Sequence, residues 1–229
     1  MSLSLQSRRI GGIAVVECAG RIVDGSESSV LQQEVDGLLD EGLYVVLNVS
    51  GIDFIDSSGL GLLVRLLNRA RVARGDLRIC APTARFREIL RVTRLETVFP
   101  PHGSAGEAIA ATYDHARSTR TLDRFATDIL CVAESHDVLA YVCEILRQAG
   151  FGVLSSDNLP DGLMLLRAVR PKAVVITAEL RAAQGTTTAA SFNMLADEHA
   201  VIELPADFSH RDAGDAGAQL LDRVRALVG

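Results

Sequence analysis

Apolar positions recur along the chain in two rhythms, strand-like and helical, and their order sets the expected architecture. Residues 3–20 hold two short apolar stretches, the second over 13–18 between Gly11-Gly12 and Gly20, which predicts an opening β-hairpin. Val30, Leu31, Val35, Leu38 and Leu39 fall at helical spacing, and Gly42 marks the stop. Residues 44–49 form a short run apolar on both faces, as expected of a central strand covered by helices. Asp56 stands as N-cap to a helix reaching about Arg74, with Leu60, Leu63, Val64 and Leu67 as its buried stripe. A strand over 77–81, a helix over 83–93, a short strand at Val98-Phe99 before Pro100-Pro101 and a helix over 104–113 complete a β-β-α-β-α-β-α-β-α order. That order predicts a compact α/β domain over residues 1–113, with helices packed on one mixed sheet.

Residues 114–127 are polar, Arg-rich and weakly periodic, which fits a linker or a connecting helix. A second unit follows over 128–229: strands at 128–132, 152–155, 173–177 and 201–204, with helices at 138–149, 159–169, one reaching about Ala200, and a last one over 214–228. The βαβαβ run predicts a smaller, doubly wound parallel domain of four strands. Asp137 is the expected cap of its first helix.

Composition narrows the function classes. The 229 residues carry a formal charge of −6, almost all of it arising after Tyr113, so no basic footprint suits nucleic acid or an anionic membrane surface. No stretch is long and apolar enough for a membrane span, and no secretory leader precedes the first strand, so a cytoplasmic protein is expected. Cys18, Cys80, Cys131 and Cys143 form no CxxC pair and are read as core residues rather than zinc ligands or a disulfide framework. No metal cluster, paired-carboxylate arrangement or cofactor motif stands out. Catalysis is not expected.

The informative segment is Asn48-Val49-Ser50-Gly51-Ile52-Asp53-Phe54-Ile55-Asp56-Ser57-Ser58-Gly59-Leu60-Gly61-Leu62: a buried strand, a turn, then two serines and two glycines opening a helix. A helix start offers unpaired N–H groups and the positive end of the dipole, so an anion on Ser57 or Ser58 is tolerated there. Gly59 and Gly61 remove side chains from the first turns, which lets another protein's backbone approach a serine closely. The plainer reading is that Asp56 and Ser57 cap a core helix and the glycines allow close packing on the sheet. Neither serine lies in a GxSxG elbow, and the sole lysine, Lys172, is far from any phosphate-cradling loop.

Asp56-Ser57-Ser58-Gly59-Leu60-Gly61, with the strand ending Asn48-Val49-Ser50 and the approach Ile52-Asp53-Phe54-Ile55, resembles the signature of STAS domains of the anti-sigma factor antagonist type. The element order over residues 2–113 resembles that fold as well. The resemblance implies a protein-binding switch rather than an enzyme. The unphosphorylated form binds an anti-sigma factor with serine kinase activity, and phosphorylation of the second serine, here Ser58, releases it. It also places a functional Asp in the loop after the second strand, with Asp24 as the candidate although family members set that Asp nearer the glycine. The helix opening at Ser57 and the loop at Asp24 are then the expected partner surface, comprising Asp24, Asp56, Ser57, Gly59, Leu60, Gly61 and Leu62, with a core role equally open for Leu60. The rival is a STAS scaffold that is never phosphorylated, assembling a signalling complex or binding a small ligand.

Residues 129–139 and 170–177 resemble the opening and third strand of a response-regulator receiver, a flavodoxin-like fold. A receiver needs an acidic pair, a phosphoacceptor Asp and a Lys-Pro pair; here those positions hold Ala133 with Glu134, Thr177, and Leu204 before Pro205. The stretch from Thr177 to Pro205 is also one βα unit short. The second half is therefore expected to be a truncated pseudo-receiver without phosphotransfer or Mg²⁺ binding, kept for interaction through a homodimer or partner choice.

Overall fold

The computed structural model describes residues 2–118, 128–183, 186–208 and 213–228, which fall into two compact units, Met1–Thr112 and Tyr113–Gly229. In the first unit β1 (Ser4–Ile10) and β2 (Ile13–Ile22) form the hairpin, closed at Gly11 with φ +60°. β2 then pairs in parallel with β3 (Tyr44–Ile55), and β3 with β4 (Leu77–Cys80), giving the mixed order β1-β2-β3-β4. Helices α1 (Ser26–Asp40), α2 (Ser57–Val72) and α3 (Ala84–Val92) share one core with the sheet: Val16, Leu47 and Ile79 meet Leu31 and Val35 of α1, Leu63 and Leu67 of α2, and Phe86 and Leu90 of α3. Each such aliphatic side chain contributes about 2 kcal/mol through removal from water. The alternate residues Ile13, Val15, Tyr44, Val46 and Cys80 are buried as well, so β2 and β3 are covered on both faces at their amino ends, whereas Arg21, Ser50 and Asp53 are exposed further along. All four cysteines are buried and unbridged; burial, and then the charge of Glu17, pushes the thiols of Cys18 and Cys80 up to about 12.

Three expectations need correction here. β3 does not turn after Val49 but runs on to Ile55, because β2 keeps pairing with it across register shifts at Glu17/Ala19 and Gly20/Arg21. Gly51 permits this as a close-packed strand residue, since a Cβ there would stand 2.9 Å from the Cys18 carbonyl oxygen. Val98-Phe99 is not a strand: a 3₁₀ turn at Leu95–Thr97 tucks Phe99 into the core. Pro100 and Pro101 offer no N–H for a ladder, so pairing beside β4 shrinks to one bridge between Cys80 and His102. The last helix, α4 (Ala105–Ser118), passes Tyr113 into the segment expected as a linker, with neither Gly nor Pro from 107 to 118 to stop it. The rest of that segment, 119–127, lies outside the described residues.

The second unit is a parallel sheet of order β6-β5-β7-β8, built from β5 (Ile129–Val132), β6 (Val153–Ser156), β7 (Ala173–Thr177) and β8 (Ala200–Leu204). Helices α5 (His136–Gln148) and α9 (Ala213–Val228) share a core with Ile129, Cys131, Val175 and Ile202. α6 (Leu159–Val169) packs with α8 (Thr187–Ala196) on the alternate residues, where a Cβ on Gly162 would stand 3.3 Å from both Val132 and Phe192. A five-residue helix not expected from periodicity, α7 (Ala178–Ala182), follows β7 directly. The cap of α5 is Ser135, whose hydroxyl accepts from the Val138 N–H at 3.4 Å; Asp137 stands inside the first turn instead.

Candidate partner-binding and modification site

β2 and β3 end side by side, and the chain turns from β3 into α2 across a single residue, Asp56. Its backbone N–H donates to the Ile22 carbonyl at 3.3 Å, which ties the start of α2 to the end of β2. One carboxylate oxygen accepts from the Gly59 N–H at 2.8 Å, as a helix cap should, and the other accepts from the Asp24 N–H at 3.4 Å. The cap thus also holds the loop after β2, so Asp24 and Asp56, 32 residues apart, sit together as the sequence suggested. Asp24 is exposed, and Ser28 Oγ donates to the Val23 carbonyl at 2.6 Å to close the same loop.

Ser57 and Ser58 occupy the first two helical positions, both exposed. Neither hydroxyl has a hydrogen-bond partner among the described residues, so Ser57 is not the cap, a part taken by Asp56 alone. Their backbone N–H groups belong to the open first turn, where the helix dipole favours negative charge. Asp56, Asp24 and the exposed Asp53 press the other way, against an added anion.

The two glycines differ. A Cβ on Gly59 would lie 2.4 Å from the Ile22 carbonyl oxygen and 2.9 Å from Ile55 Cγ1, so Gly59 is buried where α2 meets β2 and its role is packing. A Cβ on Gly61 would meet only the tip of Arg65, at 3.5 Å. Nothing in the packing requires glycine there, and its effect is to keep the surface beside Ser57 and Ser58 low. Leu60 and Leu62 are corrected: at 8% and 1% exposure they point into the core and are not surface contacts. Leu60 lies across the helix from Ser58; Leu62, four residues on, shares Ser58's side of the helix and is nonetheless buried.

Sequence reading missed one cluster at the same strand ends. The Phe54 ring, half-buried on β3, has the Arg21 guanidinium 4.9 Å from its centroid and that of Arg85 at 5.7 Å. Arg21 reaches it as the register partner of Phe54, and Arg85 from the first turn of α3, which Thr83 caps. No local motif links three residues so far apart in sequence.

In the second unit the strand ends that a receiver would use carry Glu134 and Thr177. They line a cleft of about 170 Å³ with Ser135, Glu179 and Pro205. Among the described residues no group of three or more His, Cys, Asp or Glu is placed to hold a metal ion, and no helix is long and apolar enough to cross a membrane.

Comparison with known proteins concerns the first unit. Residues 4–110 match the sequence profile of the STAS domain. Over 110 residues the chain is 26% identical to the protein named "Putative anti-sigma factor antagonist BtrV" of Bordetella bronchiseptica, covering 48% of this chain and 94% of that one. Among solved structures, an anti-sigma factor antagonist from Mycobacterium paratuberculosis aligns with TM-score 0.44 and 22% identity over 48% of this chain and 94% of its own. Bacillus SpoIIAA in its phosphorylated form aligns with TM-score 0.39 and 17% identity over 46% and 96%. Residues 4–110 of the first unit thus match the STAS domain profile, and the proteins they resemble are named as anti-sigma factor antagonists.

Proposed function

We propose that the chain is a phosphorylation-controlled binding switch: with Ser58 unmodified it binds an anti-sigma factor that is also a serine kinase, and phosphorylation of Ser58 ends that binding. The observation that carries this reading is the Ser58 hydroxyl, exposed and without a partner on the first turn of a helix whose cap, Asp56, also holds the Asp24 loop. A phosphoryl group there breaks no existing hydrogen bond, so the fold has no reason to change. It adds roughly −1.5 to −2 charge beside Asp24, Asp53 and Asp56. Release then follows from charge and bulk at the contact surface, which comprises Asp24, Asp56, Ser57, Ser58 and the low surface at Gly61.

For the second half we propose a truncated pseudo-receiver over 128–229, joined through 114–127 to the STAS domain over 1–113 and serving interaction. Its sheet order β6-β5-β7-β8 follows the first four positions of a flavodoxin-like sheet, which supports this reading. Thr177 at the end of β7 cannot accept phosphate as an Asp would, and a lone Glu134 at the end of β5 is a weak Mg²⁺ ligand.

The test is phosphate incorporation by a serine kinase of the anti-sigma type from the same genome, using the intact chain and its Ser58→Ala and Ser57→Ala variants, with mass-spectrometric mapping. Label on Ser58 that abolishes kinase binding is expected. Tight binding without label assigns the chain to a scaffold that is never phosphorylated.

A further inference from the structure

We propose that Arg21, Phe54 and Arg85 form a docking site for a carboxylate side chain of the first unit's protein partner, an inference that rests on the partner-binding reading above. Both guanidiniums lie against one half-buried ring, at 4.9 and 5.7 Å from its centroid, and contact with the ring face orients these planar groups. Both arginines are exposed, and neither makes a hydrogen bond or ion pair among the described residues. Elsewhere in this unit the acids Asp36, Asp40 and Glu88 answer Arg69 and Arg91. Here two like charges share a ring without a direct ion pair among the described residues, Glu27 acting on Arg21 only through space, so both guanidiniums remain open to an arriving anion. Oriented guanidinium forks match a carboxylate, which accepts two parallel N–H donors.

The surroundings select the source of that carboxylate. Asp24 and Asp53 are exposed at the same strand ends, so a polyanionic surface such as nucleic acid or lipid is repelled there. A single Asp or Glu on an otherwise neutral or basic protein surface is admitted. Position then connects the cluster to the switch: Phe54 lies two residues before Asp56, and Arg21 directly precedes Ile22, whose carbonyl accepts from Asp56. A partner that reaches Ser58 covers both, with a cation opposite Asp24 and an acid opposite the arginines. The acid sets the register in which the serine is presented.

The experiment is calorimetric titration of the intact chain with the serine-kinase anti-sigma factor of the same genome, at low and high salt. Arg21→Gln with Arg85→Gln is expected to weaken binding on the order of thirtyfold and to flatten its salt dependence. Arg21→Lys with Arg85→Lys keeps the charge without the fork and should recover part of the loss. Phe54→Leu keeps both charges, frees their orientation and should weaken binding about fivefold; it carries the test if the glutamine pair melts at lower temperature than the parent. Binding of these variants within twofold of the parent overturns the docking site and leaves the switch standing. No binding by the unsubstituted chain overturns both.

Discussion

At the carboxyl ends of their parallel strands the two units solve the same problem, turning a buried strand into a helix, in different ways. In the first, Asp56 caps a sixteen-residue helix, binds a second loop and leaves two serine hydroxyls in solvent. In the second, β7 runs straight into a helix of five residues, and Thr177 at the joint makes no side-chain cap bond. A position available for modification is thus a property of the local junction, not of the α/β sheet beneath it. The first unit invests glycine packing, a charged cap and a long helix in this junction, and the β7–α7 junction of the second does not, although α5 and α6 are capped by Ser135 and Asn158.

The largest effect that can break this comparison is expected at Gly59. Gly59→Ala forces a Cβ toward the Ile22 carbonyl and should cost about 3 kcal/mol in the first unit, read by denaturant unfolding followed through amide exchange in β3. If the variant is as stable as the parent, the tight seat of α2 on β2 is wrong. Next, Asp56→Ala removes the cap and should cost about 1 kcal/mol, speeding exchange at the Gly59 and Asp24 amides together. Thr177→Ala, its counterpart in the second unit, should change stability by less than about 0.5 kcal/mol. Equal costs at the two caps would erase the distinction drawn between the junctions.

Gly61→Ala should stabilise α2 by about 0.5–1 kcal/mol, because nothing crowds a methyl there, while weakening partner binding in the same titration. Stabilisation without loss of binding would remove the contact surface from Gly61. The smallest effect concerns His102, whose pKa burial and then the charge of Arg78 hold below its usual 6.5, against weaker opposing pulls from Glu107 and Asp76. With the folded value depressed, the stabilisation is present above pH 6.5 and is lost as pH falls through the folded value. His102→Gln should flatten that part of the first unit's stability profile between pH 7.5 and 5.

Much of this was legible along the chain because the signals were local. Helical spacing marked α1 and α2 with Leu31, Leu38, Leu39, Leu63 and Leu67 buried, though it left Leu62 as a surface contact, and a single Asp before two serines marked a cap. The apolar run at 44–49 marked the centre of β3. What misled was equally local: Val98-Phe99 has the composition of a strand, but two prolines behind it deny a ladder, and Phe99 serves the core from a turn. Asp137 has the chemistry of a cap, yet the cap lies two residues earlier, at Ser135.

Periodicity and capping chemistry, which act over a few residues, determined most of the order of strands and helices and the cap at Asp56, and the motif that follows that cap carries the family resemblance. Strand register and helix seating act over tens of residues, and only they could decide three things. Asp24 meets Asp56 because β2 and β3 end together. Gly59 and Gly61, alike in the sequence, divide into a packing residue and an open one because only the former faces β2. Arg21 and Arg85 converge on Phe54 because pairing and packing, which depend on the whole core, bring distant residues within one ring's reach.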